Sequence, residues 1–501
     1  MTARNENAEG PELDLKNSSV HAESPQEAID SEKGTEHTHE AILALNDPDW
    51  KAKEKKLVRI LDCTLLPMLW ILYLFNYLDR TSIAQARLNT FEEDLGLKGN
   101  QFNTAVSVLT AGYMAAQLPS NLLITRIRPS LYLPGAAIVW SIVSACTAAT
   151  KNYSGLLAVR VFLGVVEAPL YPGAVYVMSC WYTRSELALR YAVLYTGLVL
   201  AMAVSGLIAA GVFAGLDGVH GLSGWRWLFI LEGAVGCVFA IIAIFVLPDY
   251  PDSNTGSVRW SMTEDLRRLA AARMQADRVS EPESKRSVLG GLRLSLTDYK
   301  TYIFMLFNLG ITASYGFNNF FPSIVQGFGM GTRTITLLLT APPYLLGAIC
   351  SLFVCWNSDR MKERGFHIIG GVSIAIVGFI VSAASLQQAA RYAAAFLYIG
   401  GLFSVNPLVF AWCLSTLAKT PEKRAASAAI VNVFGHMGNI MSPYFFLQDE
   451  PRYLPAMLTM MAMAVLTVTM ALVTKFVLIR ENKKLKITSE ERNVAYNPYT
   501  L

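Results

Sequence analysis

Charged side chains set inside apolar runs are where this sequence can do chemistry. Asp79 and Arg80 close the segment Asn76-Tyr-Leu-Asp-Arg80, Arg160 and Glu167 interrupt the apolar stretch 153–182, and Arg226 and Glu232 interrupt 226–248. Such a charge costs roughly 3 kcal/mol at a bilayer centre even on the lenient insertion scale, so it persists for a partner or a task. Arg160 and Glu167 are seven residues apart, almost two helical turns. They therefore share one face, about 10 Å apart along the axis, and each needs a partner elsewhere. A guanidinium binds carboxylate bidentately and does not deprotonate. For Arg160 the natural transient partner is a carboxylate ligand, with Glu167 or Asp79 as the resting one. Asp79 and Arg80 have two readings: an interfacial pair that snorkels to water, or a pair facing a central cavity. Arg226 and Glu232, six apart, read as structure or helix docking.

The second half of the chain offers neutral polar groups instead. Asn318 and Asn319 stand in Tyr315-Gly-Phe-Asn-Asn-Phe-Phe-Pro322, and Asn432, His436 and Asn439 follow i, i+4, i+7 spacing on one stripe. That stripe lines a cavity or hydrogen-bonds helices together. His436 is either a neutral hydrogen-bonding group or one that titrates near physiological pH.

The elements that must hold these residues are long apolar helices. The chain has 501 residues, 53% hydrophobic and 16% charged, with mean hydropathy +0.36; soluble domains carry about 25% charged residues. A net charge of +4 is too small to argue for a nucleic-acid partner. A spanning helix needs about 20 mostly apolar residues. Nine such runs lack Asp, Glu, Lys and Arg: 102–125, 129–150, 191–216, 301–332, 334–358, 366–390, 392–418, 425–448 and 453–474. Three more, near 60–83, 153–182 and 226–248, carry the charges above, which predicts twelve spans. The alternating segments of a β-barrel are missing. The seven cysteines lie in apolar runs without metal-ligand spacing and read as small apolar fillers. With no nucleotide loop, metal cluster or nucleophile triad, no enzyme, metal or cofactor is expected.

Lys and Arg alternate between loops and set the orientation. They crowd before the first span (Lys51 to Arg59), after the second (Arg126, Arg128), after the fourth (Arg184, Arg190), in the central loop (Arg259, Arg267, Arg268, Arg273, Arg278, Lys285, Arg286, Arg293), after the eighth (Arg360, Lys362, Arg364), after the tenth (Lys419, Lys423, Arg424) and in the tail (Arg480, Lys483, Lys484, Lys486). Both termini and the central loop are therefore expected in the cytoplasm. The expected organisation is a disordered N-terminal tail over 1–59, a six-helix half over 60–248, a cytoplasmic loop over 249–298, a second half over 299–479 and a tail over 480–501. The tail has no early apolar stretch, so no cleaved signal peptide is expected; His37 and His39 there read as solvated. The spans 60–247 and 299–479 contain 188 and 181 residues, near-equal halves that suggest duplication. Asn152-Tyr-Ser154 is a glycosylation sequon at a helix edge.

Several segments together resemble one transporter family. They are Asn76-Tyr-Leu-Asp-Arg80, Pro119-Ser-Asn-Leu-Leu, Arg160…Gly164…Glu167-Ala-Pro-Leu-Tyr-Pro-Gly173, Trp181-Tyr-Thr-Arg-Ser-Glu-Leu-Ala-Leu-Arg190, Trp225-Arg-Trp-Leu-Phe-Ile-Leu-Glu-Gly233, Thr340-Ala-Pro-Pro-Tyr344 and Ser358-Asp-Arg-Met-Lys-Glu-Arg-Gly365. Over about 60–480 the chain resembles the anion:cation symporters of the major facilitator superfamily, and within them the fungal allantoate permease branch, with its nicotinate, pantothenate and biotin permeases. The resemblance implies an all-α integral membrane protein of twelve helices in two six-helix halves. It further implies proton-coupled uptake of a small organic anion by alternating access, in a monomer of the plasma membrane. Asp79 and Glu167 match the family's proton carriers, Arg80 and Arg160 its anion-holding arginines, and Tyr77 and Tyr113 its cavity positions. Asn318, Asn319, Asn432 and His436 are carried over less exactly. The superfamily loop signature is intact at Asp359, Arg360 and Arg364, whereas Thr125-Arg-Ile-Arg128 lacks its acid. Exporters of the superfamily usually carry a proline-containing motif in span five. Span five here, Leu198 to Val212, has none, which favours uptake over a metabolite or drug exporter. A non-transporting nutrient receptor is the other alternative, and the short tail after Arg480 speaks against it.

Overall fold

The computed structural model describes residues 49–124, 126–251, 253, 255–257, 261–279, 288–417, 421–446, 453–492 and 499–500. The expected tail up to Glu40 and beyond, with His37 and His39, lies outside these residues, as do Arg259, Lys285, Arg286 and Lys419. Eighteen helices carry the argument: α1 Trp50–Cys63, α2 Leu65–Ala86, α3 Gln101–Ile124, α4 Pro129–Cys146, α5 Tyr153–Glu167, α6 Leu170–Trp181, α7 Arg184–Gly215, α8 Gly224–Val246, α9 Glu264–Val279, α10 Val288–Leu296, α11 Tyr299–Ser314, α12 Phe321–Gln326, α13 Arg333–Leu339, α14 Ala341–Met361, α15 Gly365–Ala384, α16 Gln388–Thr416, α17 Pro421–Met441 and α18 Leu454–Arg492. No strand occurs among the described residues; a single bridge joins Pro248 and Gly256.

Nine helical segments among the described residues are long and apolar enough to cross a membrane, against the twelve spans expected. The other three expected spans are helical, with a physical reason in each case. Helix α3 is diluted by Asn103, Ser107, Gln117 and Ser120, all buried. The run 301–332 is broken between α11 and α12 by a 3-10 turn at Tyr315–Asn319. Helix α17 opens on Pro421-Glu-Lys-Arg424 and carries Asn432, His436 and Asn439. Proline explains two further breaks. Ala168 and Pro169 separate α5 from α6, and α14 begins at Ala341-Pro-Pro, where the missing N–H is no loss.

Packing repeats between the two halves. In the first, α2 packs on α7 and α8, α3 on α5, and α4 on α8; in the second, α11 packs on α17 and α18, α14 on α16, and α15 on α18. Small residues permit the closest crossings, as expected between membrane helices. A Cβ on Gly164 would stand 2.1 Å from Leu109 O of α3, and one on Gly401 2.4 Å from Gly371 O. The halves meet where α7 packs on α13 and α14 and α3 packs on α17.

The two ends of the bundle differ. On the side away from the termini, bonds cross between halves: Asn103 Nδ2 donates to Phe446 O (3.2 Å), Ser107 Oγ to Ile440 O (2.9 Å), and Arg333 pairs with Asp217 (2.8 Å). Phe320 stacks on Phe446 at 4.2 Å, and the Arg87 guanidinium lies 4.7 Å from Phe102 and 5.6 Å from Phe320. At the terminus-side end the following bonds run within a half. Arg190 pairs through both Nε and Nη2 with Asp62 at 2.7 Å. Arg273 of α9 reaches Glu186 (3.1 Å) and Trp181 O (2.7 Å), Lys423 pairs with Asp298, and Lys475 pairs with Glu363 at 2.5 Å.

Two expectations about loops are refined. Where Thr125–Arg128 lacks the signature acid, Asp249 from beyond α8 supplies one: its Oδ1 accepts from Ser130 N (2.9 Å) at the start of α4. Asn152 of the sequon is spent as the cap of α5, its Oδ1 accepting from Gly155 N at 2.9 Å.

Candidate functional site

The charged residues of the first half converge from four helices. Tyr77, Asp79, Arg80 and Ser82 project from α2, Tyr113 from α3, Arg160 and Glu167 from α5, and Glu232 from α8. Asp79, Arg160, Glu167 and Glu232 are each at most 4% exposed. Their convergence follows from packing, because α2 lies on α8 and α5 on α3, brought close by Gly112 and Gly164.

The central contact is an ion pair. Arg80 Nε donates to Glu167 Oε2 at 2.6 Å. The guanidinium lies between two rings, 5.2 Å from Tyr77 and 4.7 Å from Tyr113, a distance at which the ring quadrupole attracts the cation. The Arg80 side chain is 19% exposed and that of Glu167 0%. Arg80 thus keeps an accessible edge while its Nε is held. Of the two resting partners expected for Arg160, Glu167 or Asp79, Glu167 is taken by Arg80.

Behind this pair lies a second cluster. Ser144 Oγ donates to Asp79 Oδ1 at 2.7 Å, while Asp79 Oδ2 has no hydrogen-bond partner. Glu232 Oε2 is in hydrogen-bond contact with Ser82 Oγ, and Glu232 Oε1 has none. Arg160 is 1% exposed, its Nε and Nη2 without partners and its guanidinium 5.7 Å from the Phe229 ring. Asp79 is within electrostatic reach of Glu232, Glu167 and Arg160. Glu232, expected in structure or helix docking, does join α8 to α2 through Ser82, and it is also the third acid of this cluster. Its signal in the sequence was the same as that of Asp79, a carboxylate inside an apolar run.

The second half contributes one residue directly. His436 of α17 meets Tyr113 edge-on at 5.3 Å between ring centroids, so it touches the wall that flanks Arg80. Asn318 accepts from Tyr344 OH at 3.1 Å, beside a small crevice with Thr81, Gln85 and Ser205. Asn319 and Asn432 are half-buried on the 3-10 turn and on α17. Sequence reading missed a tyrosine series running from Arg80 toward the terminus side: Tyr73 lies 5.1 Å from Tyr77 and 5.5 Å from Tyr171. It also missed Tyr195, which accepts from Asn406 Nδ2 of the other half at 3.0 Å.

In the last turn of α14, Asp359 and Arg360 are exposed, and Arg360 lies over Trp356. Arg364 Nη1 donates to Ala411 O and Ser415 Oγ of α16, both at 2.7 Å. Glu363 is the loop's anchor, accepting from Phe366 N and pairing with Lys475 of α18. Burial works to raise its pKa, but those bonds outweigh it and hold the carboxyl below its ordinary range.

The comparisons agree with this architecture. The Major Facilitator Superfamily pattern matches residues 69–443. The chain is 34% identical to the major facilitator-type transporter hxnP of Emericella nidulans, over 81% of each chain. It is 30% identical to the MFS-type transporter cnsO of Penicillium expansum, over 83% of this chain and 81% of that one. Among solved structures, a bacterial homolog of the human lysosomal transporter Spinster superposes with TM-score 0.64 at 15% identity, covering 81% of this chain and 95% of that one. A D-xylose-proton symporter gives TM-score 0.61 at 13% identity, over 81% and 96%. Among the described residues, nine membrane-length apolar helices and an all-helical bundle with matched packing in its halves join these likenesses in one conclusion: the chain belongs to the major facilitator superfamily of membrane transporters.

Proposed function

We propose that this transporter takes up a small organic anion, a carboxylate, together with protons. The observation that carries the reading is the Arg80–Glu167 pair, with Arg80 between Tyr77 and Tyr113 and still partly exposed. A carboxylate arriving at the accessible edge of Arg80 competes with Glu167 for the same fork. Protonation of Glu167 removes the competitor and frees Nε, so proton and anion bind together. Deprotonation re-forms the pair and expels the anion. In a site closed from water each of these contacts is stronger than in bulk. His436 lies beyond Tyr113 and, with Asn318, Asn319 and Asn432, supplies neutral groups able to read the rest of the ligand.

Alternating access is the transport step. Bonds and aromatic stacking across the halves close the side away from the termini, and the terminus-side bonds hold each half together on its own. Twelve spans, cytoplasmic termini and a plasma-membrane location complete the proposal. The deciding experiment reconstitutes the protein in proteoliposomes and follows a panel of labelled carboxylates with an imposed proton gradient, with and without an uncoupler. Uphill accumulation of at least one carboxylate that collapses with the uncoupler is expected. Accumulation indifferent to the gradient would refute the coupling.

A further inference from the structure

Glu232 makes a contact that favours a proton on its own carboxyl. Ser82 has one hydroxyl proton, and its Oγ lies 2.7 Å from Leu78 O, a backbone carbonyl that can only accept. One hydroxyl proton cannot serve both Leu78 O and an ionised Glu232 Oε2, so a protonated Glu232, donating to Ser82 Oγ, satisfies both contacts. Ser144 differs: its hydroxyl donates to Asp79 Oδ1, a bond that suits an ionised carboxylate. Charge counting gives the same answer. Asp79, Glu167 and Glu232 would carry three negative charges against the two positive charges of Arg80 and Arg160, leaving a net −1 in a buried site. An uncompensated buried charge costs several kcal/mol, and a proton removes it. Arg80 and Glu167 cancel, and ionised Asp79 balances Arg160 across the cluster, which leaves Glu232 as the group to be neutral.

We infer that Glu232 is a proton-binding residue of this transporter, holding a proton at rest and exchanging it with Asp79. Ser82 of α2 touches it and Asp79 of the same helix lies within its electrostatic reach; Ser144 of α4 bonds Asp79, Arg160 and Glu167 of α5 share the field of Asp79, and Tyr113 and His436 lie beside Arg80. Glu232 Oε1, Asp79 Oδ2 and Glu167 Oε1 are left without partners; a proton leaving Glu232 gives up its bond to Ser82 Oγ, whose hydroxyl then turns from Leu78 O to the carboxylate. The role in coupling rests on the proton-symport reading; the proton on Glu232 at rest does not.

Infrared spectroscopy of the full-length protein in detergent at neutral pH tests it. Wild type should show a deuterium-sensitive carbonyl band of a buried protonated carboxyl. Glu232→Gln should abolish the band. Asp79→Asn should abolish it too, because Glu232 then ionises to balance Arg160. Arg160→Gln should raise it about twofold, because Asp79 must then protonate as well. Should Glu232→Gln fail to fold, Ser82→Ala serves instead, shifting the band without removing it. A band that survives Glu232→Gln, a band unmoved by Ser82→Ala, or no band in wild type would each overturn the inference. Transport measured in parallel separates the two claims: uphill uptake without proton dependence defeats the symport reading while the infrared pattern stands.

Discussion

Gly164 is the position where packing and function are most tightly joined. It faces α3 at the crossing that delivers Tyr113 to Arg80. An alanine Cβ there would stand 2.1 Å from Leu109 O, 2.9 Å from Tyr113 N and 3.0 Å from Leu109 C. These are backbone atoms, so nothing swings aside. Ordinary contact begins at 3.4 Å, and 3.4 − 2.1 leaves 1.3 Å by which α5 and α3 must separate. Overpacking of this kind costs ~1–3 kcal/mol. For a half of this size that corresponds to a melting temperature lower by roughly 5 °C. The same displacement along the Tyr113–Arg80 line carries the 4.7 Å cation–ring distance to 4.7 + 1.3, the outer limit of a useful interaction at about 6 Å. Losing ~1 kcal/mol of hold on Arg80 should weaken apparent ligand affinity about fivefold. Gly135→Ala is the control: Gly135 lies within a helix with nothing inside 4 Å of its added Cβ. It should be neutral or stabilising, by up to ~1 kcal/mol. Fluorescence-monitored melting and proteoliposome uptake measure both variants. A Gly164→Ala protein with wild-type melting and affinity, or a Gly135→Ala protein equally damaged, would refute the crossing geometry.

Further outcomes are expected. Arg80→Lys keeps a charge for Glu167 but loses the planar fork between Tyr77 and Tyr113, so carboxylate affinity should fall at least ~10-fold in equilibrium binding; near-normal affinity would remove Arg80 as the anion holder. Asp94, Asp217, Asp298 and Glu481 are each raised by burial but brought below their ordinary range by stronger hydrogen bonds and ion pairs. A depressed folded-state pKa gives stability that is full above the unfolded value, about 4, and lost as pH falls through the folded one. Thermal stability in detergent should therefore decline below about pH 4, and a flat profile there would count against these contacts. Cysteines placed in the 249–298 loop should resist an impermeant reagent in intact cells; ready labelling would reverse the orientation. Substitutions at Asn318, Asn319, Asn432 and His436 should shift preference among carboxylates with proton dependence intact. Lost coupling at unchanged preference would argue against that division between the halves.

The bundle was legible because bilayer-spanning helices leave their length in the composition, and the charge-free runs at 129–150 and 366–390 fall on α4 and α15. Breaks were less legible. The run 301–332 is uninterrupted by charge, so counting charges passes over the 3-10 turn at Tyr315–Asn319, although Gly316 and Pro322 mark it. Periodicity likewise fixes which side chains share a face, but not which helix crosses that face. Arg160 and Glu167 do lie on one buried side of α5, yet Glu167 meets Arg80, 87 positions earlier in the chain, and Arg160 meets the Phe229 ring.

That difference separates the roles of the two arginines. Both lie in apolar helices and both are cations at neutral pH, so the sequence assigns them one task. Their surroundings do not. Arg80 has aromatic walls, a carboxylate that protonation can displace and an accessible edge, which are the requirements for taking and releasing an anion. Arg160 has a buried fork, two nitrogens without hydrogen bonds and two carboxylates sharing its field. On the proposed reading, its fixed charge sets how many of those carboxylates ionise. Removing it should therefore change proton binding more than ligand affinity, whereas removing Arg80 should do the reverse. Binding assays and infrared spectra of Arg160→Gln and Arg80→Gln, taken side by side, would show equal losses in both measurements if the two arginines shared one role.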